Sequence, residues 1–184
     1  TPEYRRHKRF LERRQQSAYT PEQALLDEPA ASVQAHEHST CAITRDAGEV
    51  WCWGFNDAGL LPGYFYPESS EPIKIDGLAG VKQIAFGQEH RCARNASGEV
   101  WCWGRDDHAQ LGGSKRAEGS PVKVQGLPMQ AVDITVGSHH SCALLERGAV
   151  ACWGYNLYGQ LGHGPSMSSA PRVIEGLGDV KKIA

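Results

Sequence analysis

The segment HRCARNASGEVWCWG, residues 90–104, is the stretch from which the architecture can be read. Two short runs rich in Val, Trp and Cys flank Ala96-Ser97-Gly98, the composition of two antiparallel strands joined by a tight turn. The same pattern recurs as HSTCAITRDAGEVWCWGFN from His38 and as HSCALLERGAVACWGYN from His140, with turns at Arg45-Asp46-Ala47-Gly48 and Glu146-Arg147-Gly148. Cys52, Cys102 and Cys152 stand 50 residues apart, as do Gly54, Gly104 and Gly154. Internal repetition at such a period marks a repeat architecture.

Outward from the hairpin, each copy continues into a second block: AGLLPG from Ala58, AQLGG from Ala109 and GQLGHG from Gly159. A proline and a β-branched stretch follow, EPIKIDGL, SPVKVQGL and APRVIEGL. Each copy then opens the next, through VKQIAFG from Val81, VDITVG from Val132 and VKKIA from Val180. The second unit predicts four strands, Val81–Phe86, His90–Arg94, Glu99–Gly104 and Val122–Val124. Alternation along the third strand puts Val50 and Cys52 on one face and Trp51 and Trp53 on the other, so both faces carry bulk. That suits sheets stacked face to face, and a tandem four-stranded unit of this length predicts a propeller blade. The fold expected is therefore all-β: a partial β-propeller of about three four-stranded blades (31–80, 81–131 and 132–179), a stub of a fourth from 180, and a short helical N-terminal extension over 1–30.

Composition narrows the function classes. In 184 residues the formal charge is −2, which gives no basic surplus for nucleic acid, and no apolar run approaches the roughly 18–20 residues of a membrane-spanning helix. No GxSxG, HExxH, P-loop or dinucleotide fingerprint is present, so the expectation is a protein that is not an enzyme and carries no cofactor or metal.

The order V-x-x-I-x-x-G-x-x-H-x-C-A, G-E-V-W-C-W-G, G-Q-L-G, P-x-x-V-x-G-L, spanning about Ala31 to Ala184, resembles the regulator of chromosome condensation repeats. The resemblance implies propeller blades. Members of that family form seven-bladed rings, and the paired cysteines look like those of its secreted bacterial members. About three blades do not close a ring, since propellers typically use about 4 to 8. The remaining closure is expected either from further repeats of a longer protein or from another chain. Roles implied by the family are guanine-nucleotide exchange on a small GTPase, chromatin docking and, in a secreted bacterial member, β-lactamase inhibition; none maps residue by residue onto this chain.

Six cysteines allow many pairings, but the hairpins restrict them. Cys92 and Cys102 are symmetric about Ser97, and Cys142 and Cys152 about Arg147, so each pair falls directly opposite in a hairpin. Cys41 and Cys52 are one residue further apart, a difference their turn can absorb with a bulge. The predicted disulfides are Cys41–Cys52, Cys92–Cys102 and Cys142–Cys152, each worth at most about 2.5–3 kcal/mol by chain entropy. Free buried thiols are one alternative and zinc is the other. Zinc fits poorly, because the preceding His38 is three residues from its cysteine whereas His90 and His140 are two, and the Cys–Cys spacing far exceeds usual ligand spacing. Disulfides imply a secreted, periplasmic or cell-surface location. No signal peptide is visible in the hydrophilic Thr1-Pro2-Glu3 start, as after removal of a leader.

Before the repeats, Thr1-Pro2-Glu3 and Thr20-Pro21-Glu22-Gln23 read as two helix starts. The first helix carries Arg5, Arg6, Lys8, Arg9, Arg13 and Arg14, either a solvated face or a site for phosphates or an acidic partner. His38, His90 and His140 recur at nearly one repeat position, with His36 and His139 beside them; a shared structural role competes with a convergent site. Asp57, Asp106 and Asp107 follow the Trp-Gly corners, where turn capping competes with calcium binding. The loops after those corners differ most between copies. The first holds Tyr64, Phe65 and Tyr66 in succession, candidates for a partner-binding hot spot unless the rings pack inward. The expected function is an extracytoplasmic protein-interaction module that binds a protein partner through rim loops or assembles through open blade edges. A secreted enzyme inhibitor is the alternative, or an exchange or chromatin-docking propeller if the cysteines are reduced.

Overall fold

The computed structural model describes residues 26, 28–56, 58–113 and 120–184. The helices expected before the repeats lie outside this set, save for Leu26, Glu28 and Pro29, which are not helical. Three antiparallel four-stranded sheets follow in chain order. The first holds β1 (Ala30–His36), β2 (Ser39–Thr44), β3 (Val50–Phe55) and β4 (Glu68–Lys74). The second holds β5 (Val81–Phe86), β6 (His90–Asn95), β7 (Val100–Gly104) and β8 (Val122–Lys123). The third holds β9 (Ala131–Val136), β10 (His140–Leu145), β11 (Val150–Gly154) and β12 (Ser168–Val173). Each sheet is one blade, with its strands neighbouring one another in the order of the chain.

Strand alternation turns into blade stacking. In the second blade, Ile84, Ala93 and Trp103 point back into a core shared with Cys41, Val50, Cys52 and Leu61 of the first. Cys92, Val100 and Cys102 point forward into a core shared with Ala131, Ala143 and Trp153 of the third. The residues of one face of β7 thus serve one interface and those of the other face serve the next, which is why both faces are bulky. The three cysteine pairs form disulfides, Cys41–Cys52, Cys92–Cys102 and Cys142–Cys152, each with Cα atoms 4.1 Å apart. The ladders keep the same register, Ser39, His90 and His140 opposite Gly54, Gly104 and Gly154. The extra residue between Cys41 and Cys52 is therefore taken up in the turn.

The Trp-Gly corner requires glycine for two reasons. Gly104 has φ of 104°, and a Cβ there would stand 2.5 Å from the Glu89 carbonyl oxygen; Gly54 and Gly154 repeat the geometry. The close approach is what lets Arg105 N donate to Glu89 O at 2.8 Å, ending the hairpin. The hairpin tips reach the next blade: Gly48 O accepts from Val81 N at 2.9 Å and Gly98 O from Ala131 N at 3.0 Å.

Val180–Ala184, where a fourth blade is expected to open, forms no strand among the described residues. Val180 N donates to Gly148 O at 3.2 Å, as the equivalent residues do in the earlier copies, but the segment joins no ladder. A strand exists only through a lateral partner, and none stands beside it among the described residues.

Gly104→Ala is expected to cost about 1–3 kcal/mol of unfolding free energy, from strain at positive φ and the carbonyl clash. Gly126→Ala, at φ of 81° with nothing within 4 Å of the added Cβ, carries only the φ strain and is expected to cost less. Urea unfolding of the two variants side by side checks the difference.

Candidate protein-contact surface

The loops leaving the Trp-Gly corners are organised by one side chain each. Asn56 accepts from Leu61 N through Oδ1 at 2.7 Å, and its Nδ2 donates to Tyr64 O at 2.8 Å and Tyr66 O at 2.9 Å. Asn156 does the same in the third blade, with Leu161 N at 2.8 Å and carbonyls including Gly164 O at 2.8 Å and Ser166 O at 3.1 Å. In the second, Asp106 Oδ1 accepts from Leu111 N at 3.0 Å, a turn-capping role. Asp107 is exposed and lies 3.5 Å from Arg105 Nε, and Asp57 lies outside the described residues. Among the described residues no group of three or more His, Cys, Asp or Glu is arranged to hold a metal ion.

The aromatic triplet splits by role. Tyr64 packs against the core between the first two blades, and its ring lies 5.4 Å from that of Tyr66. Phe65 between them is 90% exposed, on a loop that Asn56 pins from both sides. An apolar ring held in solvent by a rigid support has little conformational freedom left to lose on binding.

The recurring histidines occupy three different settings. Because His38 is one residue further from its cysteine, the register puts Ser39 in the place of His90 and His140. His38 is exposed and meets Phe55 edge to face at 6.3 Å, while His36 stacks on Phe86 at 6.2 Å. His90 is fully buried between blades, its Nε2 2.8 Å from Ser141 Oγ, and its Nδ1 has no hydrogen-bond partner among the described residues. Burial, reinforced by His139 and His140, pushes the His90 imidazole down to about 3. His140, half-buried, is also held below the usual imidazole range, first by burial and then by His139. Beside His90 on its own strand, Arg91 is buried too. Its guanidinium donates to Leu60 O at 3.3 Å and to Ser39 Oγ and sits over the Phe86 ring at 5.2 Å.

A second aromatic group was not anticipated. The His108 ring lies 5.0 Å from His139 and 4.8 Å from Tyr155, and Tyr155 lies 5.9 Å from Tyr158, which is 87% exposed. Aligning the copies on their second cysteines puts Ala58, His108 and Tyr158 at one position, the signal that would have found it. Where the first copy has Ala58 the group is absent, and a cleft of about 140 Å³ opens, bordered by His38, Phe55, Leu60 and Glu89. Phe65 and Tyr158 are the two most exposed rings on these loops, at 90% and 87%.

Stacked, disulfide-stapled four-stranded blades with variable rim loops define a propeller-type repeat scaffold, the class of protein that presents loops from a rigid support. Two models of the regulator of chromosome condensation (RCC1) repeat match the chain, one over residues 97–144 and 147–184, the other over 81–110 and 131–160. The chain belongs to the RCC1 repeat family. Among solved structures it is similar to human WBSCR16, with 26% identity and a TM-score of 0.71 over 82% of this chain and 39% of that one. Yeast RCC1 (Prp20), in its complex with Kap60, shares 22% identity at a TM-score of 0.70, covering 79% of this chain and 37% of that one. Prp20p from Saccharomyces cerevisiae, described with its binding to Gsp1p and histones, gives 22% and 0.68, over 79% and 38%. The chain thus spans under two fifths of these propellers. No curated protein matches it in sequence.

The buried His90 makes stability depend on pH in a defined sense. Above pH 6.5 the imidazole is neutral in both folded and unfolded chains and contributes no slope. Between 6.5 and about 3 the unfolded chain takes up a proton that the folded one excludes, so stability falls as pH falls, by up to about 1.4 kcal/mol per unit. Replacing His90 with Gln is expected to remove that component, so that wild-type and variant urea midpoints converge as pH falls from 7 towards 4; parallel curves would mean His90 titrates normally.

Proposed function

We propose that the chain is an extracytoplasmic protein-interaction module, in which disulfide-stapled blades hold rim loops against a protein partner. The observation that carries this reading is Phe65: a ring 90% exposed at the apex of a loop that Asn56 fastens through two carbonyls and one amide. Tyr64, on one side of it, anchors the loop to the core between the first two blades. The location rests on the three cross-strand disulfides, which persist where the environment is oxidising. A secreted enzyme would be one suitable partner, with the chain as its inhibitor. The neighbouring yeast propeller, described with Gsp1p and histones, supports protein binding by such scaffolds in general and carries no residue-level transfer.

Intact mass before and after reduction and alkylation is expected to show three bridges, mapping by peptide to the three intra-blade pairs. Six thiols free in the native protein would overturn the location and bring the intracellular exchange-factor and chromatin-docking readings forward. For the rim, Phe65→Ser is expected to leave the unfolding free energy from urea titration within about 0.5 kcal/mol of wild type, because the ring is in solvent. A photoreactive phenylalanine analogue at position 65 should capture an extracellular protein that wild-type chain competes away and Phe65→Ser does not. Equal competition by the two would remove Phe65 from the contact.

A further inference from the structure

The two seams between blades differ at one position of the rim loop. In the second seam the His108 side chain lies across the junction, its ring 5.0 Å from that of His139 and 4.8 Å from that of Tyr155, both of the third blade. In the first seam the equivalent residue is Ala58. The places of His139 and Tyr155 are taken there by Glu89 and Arg105, whose side chains pair at 2.5 Å. The cleft that opens beside Ala58 therefore stands where the next seam holds a ring.

Its size and lining fit a ring. At about 140 Å³ it is close to the cavity of about 150 Å³ that takes up benzene in an engineered protein core. Phe55, Ala58 and Leu60 supply apolar lining and Glu37, Gln88 and Glu89 supply polar lining, and among the described residues no Lys or Arg lines it. The lining is held in place before anything binds. Leu60 O accepts from Trp103 Nε1 at 3.2 Å and from Arg91 at 3.3 Å, and Arg91 also donates to Ser39 Oγ at the cleft's edge. A slot fixed in this way needs little ordering when it is filled. All of these residues belong to the first two blades, whose contact with each other is complete in the structure.

We propose that the cleft seats an aromatic side chain of a protein partner, a ring that carries an N–H, with histidine the occupant seen in the equivalent place one blade on. The ring packs against Phe55 and Leu60, and its N–H donates to the Glu89 carboxylate, which Arg105 orients. The chemistry selects the occupant. An acidic side chain would meet Glu37 and Glu89, and an aliphatic one would fill the volume while shielding a carboxylate from water without giving it a donor. The proposal rests on the interaction-module reading and names the kind of partner residue that enters beside Ala58.

The probe is 4-methylimidazole, the histidine side chain without its backbone, titrated at fixed pH into the full chain and followed by amide NMR shifts. Saturable shifts centred on Phe55, Ala58 and Glu89 are expected, with a Kd in the millimolar range that suits so small a fragment. Ala58→His restores the residue of the second blade and is expected to weaken probe binding about tenfold or more while raising the urea midpoint, because its own ring takes the space. Glu89→Gln keeps the side chain's size and removes its charge, and is expected to weaken binding about tenfold, the loss of one charge-assisted hydrogen bond. Ala58→Ser leaves the cleft open and should bind as wild type does. No saturable shift at the cleft overturns the proposal, and so does binding unchanged by Ala58→His or, should that variant not fold, by Glu89→Gln. In the capture competition at position 65, Ala58→His is expected to compete less well than wild type, and equal competition would take the partner's ring out of the cleft. If position 65 captures nothing, the rim contact fails while the probe titration still decides whether the cleft takes a ring, since Phe65 does not line it and Phe65→Ser should bind the probe as wild type does.

Discussion

The structure depends on a tryptophan indole crossing from one blade to the loop of the blade before it. Trp103 and Trp153 are fully buried and each ends on a backbone carbonyl, Leu60 O or Gln110 O. Removing such a ring from a core typically costs about 3–5 kcal/mol, whereas the hydrogen bond is worth about 1 kcal/mol. Burial thus supplies most of the stabilisation. The hydrogen bond decides where the ring stops, and with it the offset between blades. The carbonyl must be presented inward by a loop, and that loop exists because Asn56 or Asp106 satisfies its turning backbone from within.

The disulfides act in a different direction. They join β2 to β3, β6 to β7 and β10 to β11 inside each blade and leave the contact between blades to packing and polar pairs. A scaffold built this way has stiff units and separable interfaces. The rim loops emerge from the stiff part, immediately after the glycine corner, so their position is set by backbone geometry. Their side chains are free to differ between copies, as Ala58, His108 and Tyr158 do.

Much of this architecture was legible before any coordinates. The 50-residue spacing, the alternation through Val100-Trp101-Cys102-Trp103 and the symmetric cysteines led to blades, hairpins and pairings that match the structure. The candidate site was legible only in part. Tyr64, Phe65 and Tyr66 could be singled out as a cluster, but which ring faces solvent depends on Asn56, eight residues from Tyr64. His38 read as the counterpart of His90 because both precede a cysteine, yet the ladder register gives that place to Ser39.

What the sequence determined by itself was the repeat, its strands and its staples, because these arise from contacts within about ten residues and from the period-two geometry of a strand. What only the tertiary structure decided was how blades recognise one another and which rings remain outside. Those outcomes join residues such as His90 and Ser141, some fifty positions apart, whose pairing follows from the stacking of whole sheets and leaves no local pattern in either segment.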